Sequence, residues 1–133
     1  MRKDLILILI GCLMMALVGD AQTSTNLILD YDSIYIDSTL RAGDSGILRF
    51  VIENNGGQKA EKVIVWIPDI EDIYASKRLY VGTILPDEAV TISARLNIAR
   101  DASMGLRILP VHVMYTGYDS GGKKEEYQEL TYY

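Results

Sequence analysis

From Leu27 onward, apolar residues recur at every second position rather than every third or fourth. Leu27, Leu29 and Tyr31 alternate with Ile28, Asp30 and Asp32, and Ile34-Tyr35-Ile36 resumes after a break at Ser33. Side chains in a strand point to opposite faces in turn, so each such row predicts a strand with one buried face. Leu48, Phe50 and Ile52 repeat the pattern against Arg49, Val51 and Glu53, ending at Asn54. Val63, Val65 and Ile67 form the next row, with Ile64 and Trp66 on the opposite face. Pro68 stops that ladder because it has no N–H to give. Val90, Ile92, Ala94, Leu96 and Ile98 make the longest clean alternation; Leu109, Val111, Val113 and Tyr115 follow, and Glu126 to Tyr133 is a last candidate. The phase of the row turns Tyr115 inward, where it can serve as a corner residue.

Between the rows lie turn clusters: Ala42-Gly43-Asp44-Ser45-Gly46, Asn54-Asn55-Gly56-Gly57 and Asp119-Ser120-Gly121-Gly122. Asn-Gly is the strongest short-range turn signal of these. Only Ile70, Ile73 and Tyr74 show helical spacing, opening after Asp69 as a cap, and this predicts one short helical segment. About seven strands over roughly 100 residues, with a turn signal every 8–15, predict an immunoglobulin-like antiparallel β-sandwich. The Cys…Trp…Cys spacing of antibody domains is missing, so the sandwich is expected to stand without a disulfide.

The first residues follow another rule. Arg2 and Lys3 precede an uninterrupted apolar run from Leu5 to Val18, and Gly19-Asp20-Ala21 closes it with small residues at the −3 and −1 positions. That is the secretory signal pattern, with cleavage expected after Ala21. The run is short for a membrane span, which needs roughly 20 apolar residues; an uncleaved N-terminal anchor is the alternative, because Asp20 makes the site imperfect. Ile10-Gly11-Cys12 has the form of a lipoprotein box, yet the apolar run continues past the cysteine, so Cys12 is read as part of that run. The expected division is a signal peptide at 1–21, a short polar linker at 22–26 and a sandwich domain at 27–133. The only contact with a membrane would be through the N-terminal segment, if uncleaved.

Composition then narrows the function. The net charge of −5 offers no dense basic patch, which excludes a nucleic-acid partner. The chain has one Cys and one His. Cleavage would remove the cysteine, leaving an exported domain of about 112 residues held by its core alone. His112, alone on the outward phase of a strand, builds neither a triad nor a zinc site. The reading is therefore a non-enzyme that needs no cofactor. Asp69, Glu71 and Asp72, in the loop after Pro68, are the candidates for a calcium site, since loop carboxylates supply hard oxygen ligands. Asp30 and Asp32 read instead as charge protecting an exposed edge. Nine tyrosines against one Phe and one Trp is the strongest bias in the composition. Tyrosine joins a rigid apolar body to a polar tip and suits wet interfaces. Trp66, Tyr118, Tyr132 and Tyr133 are the expected exposed set and the candidate interaction residues.

The order of these pieces resembles a repeated module of archaeal and bacterial surface proteins. Gly43 precedes Leu48-x-Phe50-x-Ile52-x-Asn54-x-Gly56, and Ala60-x-x-Val63-x-Val65-x-Ile67 follows. Gly82-x-Ile84-x-Pro86-Asp87-Glu88, Asp101-Ala102-x-x-Gly105 and Leu109-x-Val111-x-Val113-x-Tyr115 continue it. Over residues 26–133 the chain looks like the archaeal S-layer-related family. It is similar also to the CARDB cell-adhesion domain and to the domain accompanying alpha-galactosidases. Two positions depart: Asp87 stands where the family usually has Gly, and Arg107 where an aromatic often follows the Gly. The resemblance implies an exported, non-catalytic sandwich module, often in tandem and in longer anchored chains.

The expected function is protein–protein contact or structural and adhesive assembly at the cell surface. Its partner would be a surface or envelope protein, or a second copy joined through an edge strand. The alternatives are a carbohydrate- or calcium-binding module and the N-terminal domain of a transporter-accessory surface protein. One expectation is direct: mass spectrometry of the exported protein should read an N-terminus at Gln22, whereas an intact Met1 or a lipidated Cys12 would overturn the assignment of residues 1–21.

Overall fold

The alternating rows become strands. The computed structural model describes residues 24–37, 40–103 and 105–133; the signal segment expected at 1–21 lies outside them. Eight strands follow: β1 (Leu27–Ile36), β2 (Ser45–Asn54), β3 (Ala60–Trp66), β4 (Ile73–Ala75), β5 (Leu79–Ile84), β6 (Ala89–Ile98), β7 (Val111–Tyr118) and β8 (Lys124–Tyr132). They form two antiparallel four-stranded sheets, ordered β1-β2-β6-β4 and β5-β3-β7-β8. This is an immunoglobulin-like sandwich with a single cysteine in the chain and so no disulfide within it. The inward rows of both sheets meet in one core around Phe50, Ile52, Val63, Val65, Ile84, Leu96 and Val113.

The helical segment expected at Ile70–Tyr74 is not formed. Ile70 and Ile73 exchange both backbone hydrogen bonds, at 3.0 and 2.6 Å, across a tight turn in which Glu71 takes φ +35°. The two isoleucines are three apart because they face each other across that turn, not because they share a helix face. Asp69, expected as a helix cap, accepts the N–H of Ala75 at 3.0 Å and holds the end of β4. The chain then crosses to the other sheet as β5. With these two short edge strands the total is eight, where about seven were expected.

One end of the sandwich gathers the β2–β3, β5–β6 and β7–β8 turns with residues 24–26. Asn54 stands at its centre, fully buried. Its amide donates to the carbonyls of Gln58 (2.8 Å) and Ile84 (3.1 Å), and its Oδ1 accepts from the N–H groups of Gly56 (3.0 Å) and Asn26 (3.4 Å). Its own backbone accepts from Asp87 (2.8 Å) and donates to Glu88 (3.0 Å). One side chain thus ties the entering chain, the β2–β3 turn and the end of β5, while its backbone holds the β5–β6 turn. Gly56 is fixed by the same crossing: a Cβ there would lie 2.0 Å from the Ser24 carbonyl oxygen. Asp87, where the family resemblance expects glycine, adopts φ +63°, a left-handed conformation that aspartate tolerates better than most residues.

The break at Ser33 is a wide bulge. Between the pairs Asp30–Val51 and Tyr35–Arg49, four residues of β1 lie opposite the single residue Phe50 of β2. The Ser33 hydroxyl bridges the gap, accepting from Val51 N at 2.8 Å and donating to the Asp30 carbonyl at 2.5 Å. Beyond the bulge Ile34, Tyr35 and Ile36 are exposed. A bulge of this kind twists an edge away from pairing.

Substitution of Asn54 by alanine leaves several buried backbone groups without partners, at about 1–3 kcal/mol each. Asn54→Ala is expected to lower stability by about 3 kcal/mol, and Gly56→Ala by at least about 2 kcal/mol, both read as a lower urea midpoint. An unchanged midpoint in Asn54→Ala would remove the residue from this role.

Candidate functional site

Two surfaces concentrate aromatic and apolar side chains. The first is the outer face of the β5-β3-β7-β8 sheet. Trp66 of β3 stacks on His112 of β7, ring centroids 5.2 Å apart and 24° from parallel. The Arg78 guanidinium lies 4.2 Å from the Trp66 ring centroid. His112 has the partners that its isolation in sequence did not suggest: Thr131 Oγ1 at 3.0 Å and a Glu129 carboxylate oxygen at 3.5 Å, both from β8. Nearby on the same face the Tyr118 hydroxyl donates to Glu61, which Lys59 pairs at 3.1 Å. The bond from Tyr118 first, and then that from Lys59, holds the Glu61 carboxyl below its usual range, and the same bond raises the Tyr118 hydroxyl above its own. Trp66 and Tyr118 are half-buried, engaged with groups of their own sheet.

This face carries two bulges at one level. Lys62 of β3 (φ +53°) and Tyr127 of β8 (φ +43°) flank β7, and the ammonium sits 6.0 Å from the tyrosine ring centroid. Between them Thr116 of β7 is buried, its hydroxyl without a hydrogen-bond partner.

The second surface is the open side where edge strands β1 and β8 come together. An apolar cleft of about 170 Å³ lies there, walled by Leu29, Tyr31, Ile34 and Ile36 on one side and Val111, Tyr132 and Tyr133 on the other. None of its lining residues is charged. Tyr31 is 54% exposed and Tyr133 77%. Leu109 and Ile36 also line a wider open hollow of about 960 Å³ at the end of the sandwich, with Arg107 and Asp72 at its rim. From that rim project Leu106, 100% exposed, and Ile108, 71% exposed.

Tyr132, grouped with the exposed set, instead turns inward. Its pairing with Val111 places it on the inner phase of β8, and its hydroxyl donates to the Leu27 carbonyl at 2.6 Å. It therefore links the two edge strands. Burial first, with Tyr115 and Tyr31 nearby, pushes its hydroxyl up to about 12. Tyr115 is buried as its alternation required, and its hydroxyl donates to Gln128 at 3.1 Å. Tyr31 and Tyr35, in turn, carry exposure that alternation does not reveal, because the bulge resets the phase.

The candidate calcium carboxylates are occupied separately. Asp69 holds Ala75 N–H, while Glu71 and Asp72 face the Arg107 guanidinium at 3.6 and 3.7 Å. Among the described residues no three acid, His or Cys groups converge as a metal cage, and none forms a helix long and apolar enough to cross a membrane. No family model matches the chain, and no curated protein matches it.

The Tyr132 link has a pH signature. A folded-state pKa above the unfolded value of about 10 means that the folded chain holds its proton longer. The contribution of Tyr132 is then intact below pH 10 and lost as the pH rises from 10 to about 12. Tyr132→Phe is expected to cost about 1 kcal/mol at neutral pH and to flatten the fall of the urea midpoint above pH 10. An alkaline limb as steep as that of the unsubstituted chain would show that other tyrosines produce it.

Proposed function

We propose that this chain is an exported, non-catalytic module that works by protein–protein contact in structural or adhesive assembly at the cell surface. The observation that carries the reading is the open β1/β8 side. There an uncharged apolar cleft continues onto exposed Tyr31, Ile34, Ile36 and Tyr133. Contiguous apolar surface of this extent on a soluble domain marks an interaction site. The signal pattern of residues 1–21 supports export, and the resemblance to S-layer-related and CARDB-like modules supports a place in an envelope. Side chains that bear reactive groups support no catalytic role. His112 is engaged with Thr131, Glu129 and Trp66, and the loop carboxylates with Arg107 or backbone.

The partner is a surface or envelope protein, met through the β1/β8 side. A photoreactive amino acid placed at Tyr133, in cells that display the protein, should crosslink a protein upon irradiation. The same group at Thr91, on the outer face of the other sheet, should give far less. Equal yields at the two positions, or no protein adduct at either, would overturn the reading.

A further inference from the structure

The loop from Gly105 to Leu109 inverts the usual polarity of a surface. Arg107, the charged residue, turns back to the body of the domain. Its Nη2 donates to the Ser103 carbonyl (3.0 Å) and hydroxyl (3.1 Å), and Asp72 and Glu71 lie opposite at 3.7 and 3.6 Å. Its neighbours Leu106 and Ile108, one on each side, face solvent at 100% and 71% exposure. An isolated exposed leucine needs no explanation. Two aliphatic side chains held outward by an anchored arginine form a built projection.

A matching recess lies on the same molecule. The β1/β8 cleft holds about 170 Å³ between apolar walls, and a cavity of about 150 Å³ with such a lining takes up a benzene ring. It is therefore the right size for one leucine or isoleucine side chain. Projection and recess are contiguous, since Leu109 lines the cleft and follows Ile108 directly. We infer that the Leu106–Ile108 projection of one copy seats in the β1/β8 cleft of a second copy, each giving and receiving in a two-fold contact. This rests on the contact reading above and names the partner.

Area and charge favour this occupant. Tyr31, Ile34, Ile36, Leu106, Ile108 and Tyr133 together expose on the order of 600–800 Å² of side chain, taking roughly 150–250 Å² for a whole large one. A stable interface takes about 800 Å² per partner, whereas the largest patch on an ordinary monomer is about 300–600 Å². A chain of net charge −5 repels its own copies over most of its surface. The uncharged lining of the cleft lets two copies meet without placing like charges together. A two-fold contact needs a self-complementary patch, and this one carries both halves of the fit.

Sedimentation velocity on the full chain over a hundredfold concentration range should show a monomer–dimer equilibrium. Leu106→Asp should weaken it at least tenfold, and Thr91→Asp, which adds the same charge elsewhere, should leave it unchanged. In a Cys12→Ser background, mixing the L106C chain with the I34C chain under mild oxidation should give a disulfide-linked dimer that greatly exceeds that of either chain alone. Association that is absent, or that is indifferent to Leu106→Asp, or that gives no mixed dimer overturns the inference. If an envelope protein is nonetheless crosslinked through Tyr133, the contact reading stands and only self-pairing falls. If nothing is captured either way, both fall.

Discussion

Every hydrogen-bonding position of the Asn54 side chain is used, and none of its partners is on a neighbouring residue. Two carbonyls and two N–H groups from three separate places, the entering chain, the β2–β3 turn and the end of β5, converge on one buried amide. A buried amide is costly unless satisfied, and once satisfied it allows only one arrangement of its partners. In a chain without a disulfide this amide fixes how the two sheets are joined at one end. Gly56 is its counterpart: the crossing of Ser24 leaves no space for a side chain there. The core supplies most of the favourable free energy. The amide chooses the arrangement.

Much of this was legible in the sequence. Leu48-Phe50-Ile52, Val63-Val65-Ile67 and Ile92-Ala94-Leu96 alternate because each lies in a long strand with one buried face, and all are core residues. The turn after Asn54 was legible too, though not the inward use of its side chain. β4 and β5 were hidden because short edge strands bury too few residues to print a period; Ile70 and Ile73 printed a false one. The surface was less legible than the core. Tyr132 lies in a strand whose mixed pattern, Glu126 to Leu130, fixes no phase, so its inward turn depends on its pairing with Val111. Tyr31 belongs to a row that reads as buried until the bulge interrupts it. The outward aim of Leu106 and Ile108 follows from where Arg107 finds its partners, Asp72 and Glu71, far back along the chain.

The two aromatic surfaces differ in what they leave unsatisfied. On the outer face of the β5-β3-β7-β8 sheet, Trp66 is matched with Arg78, just before β5, and His112, Tyr118 and Tyr127 with Glu129, Glu61 and Lys62 of the same sheet. The Thr116 hydroxyl is left over beneath them. On the β1/β8 side it is uncharged apolar surface that remains open. Tyr132 closes that side only in part, since one hydroxyl on the Leu27 carbonyl joins two edges that share no ladder.

The chain enters the sandwich at Ser24, beside the Asn54 amide, and β8 runs away from that end to Tyr132. β1 and β8 are both edge strands, each held along its length by a single neighbour. A pull between Ser24 and Tyr133 therefore runs along the strands, across hydrogen bonds that lie perpendicular to them. The β1–β2 and β7–β8 ladders would be sheared as a whole rather than peeled one bond at a time. Such a module, placed in a line of load, resists extension through its ladder geometry alone, with no covalent clasp.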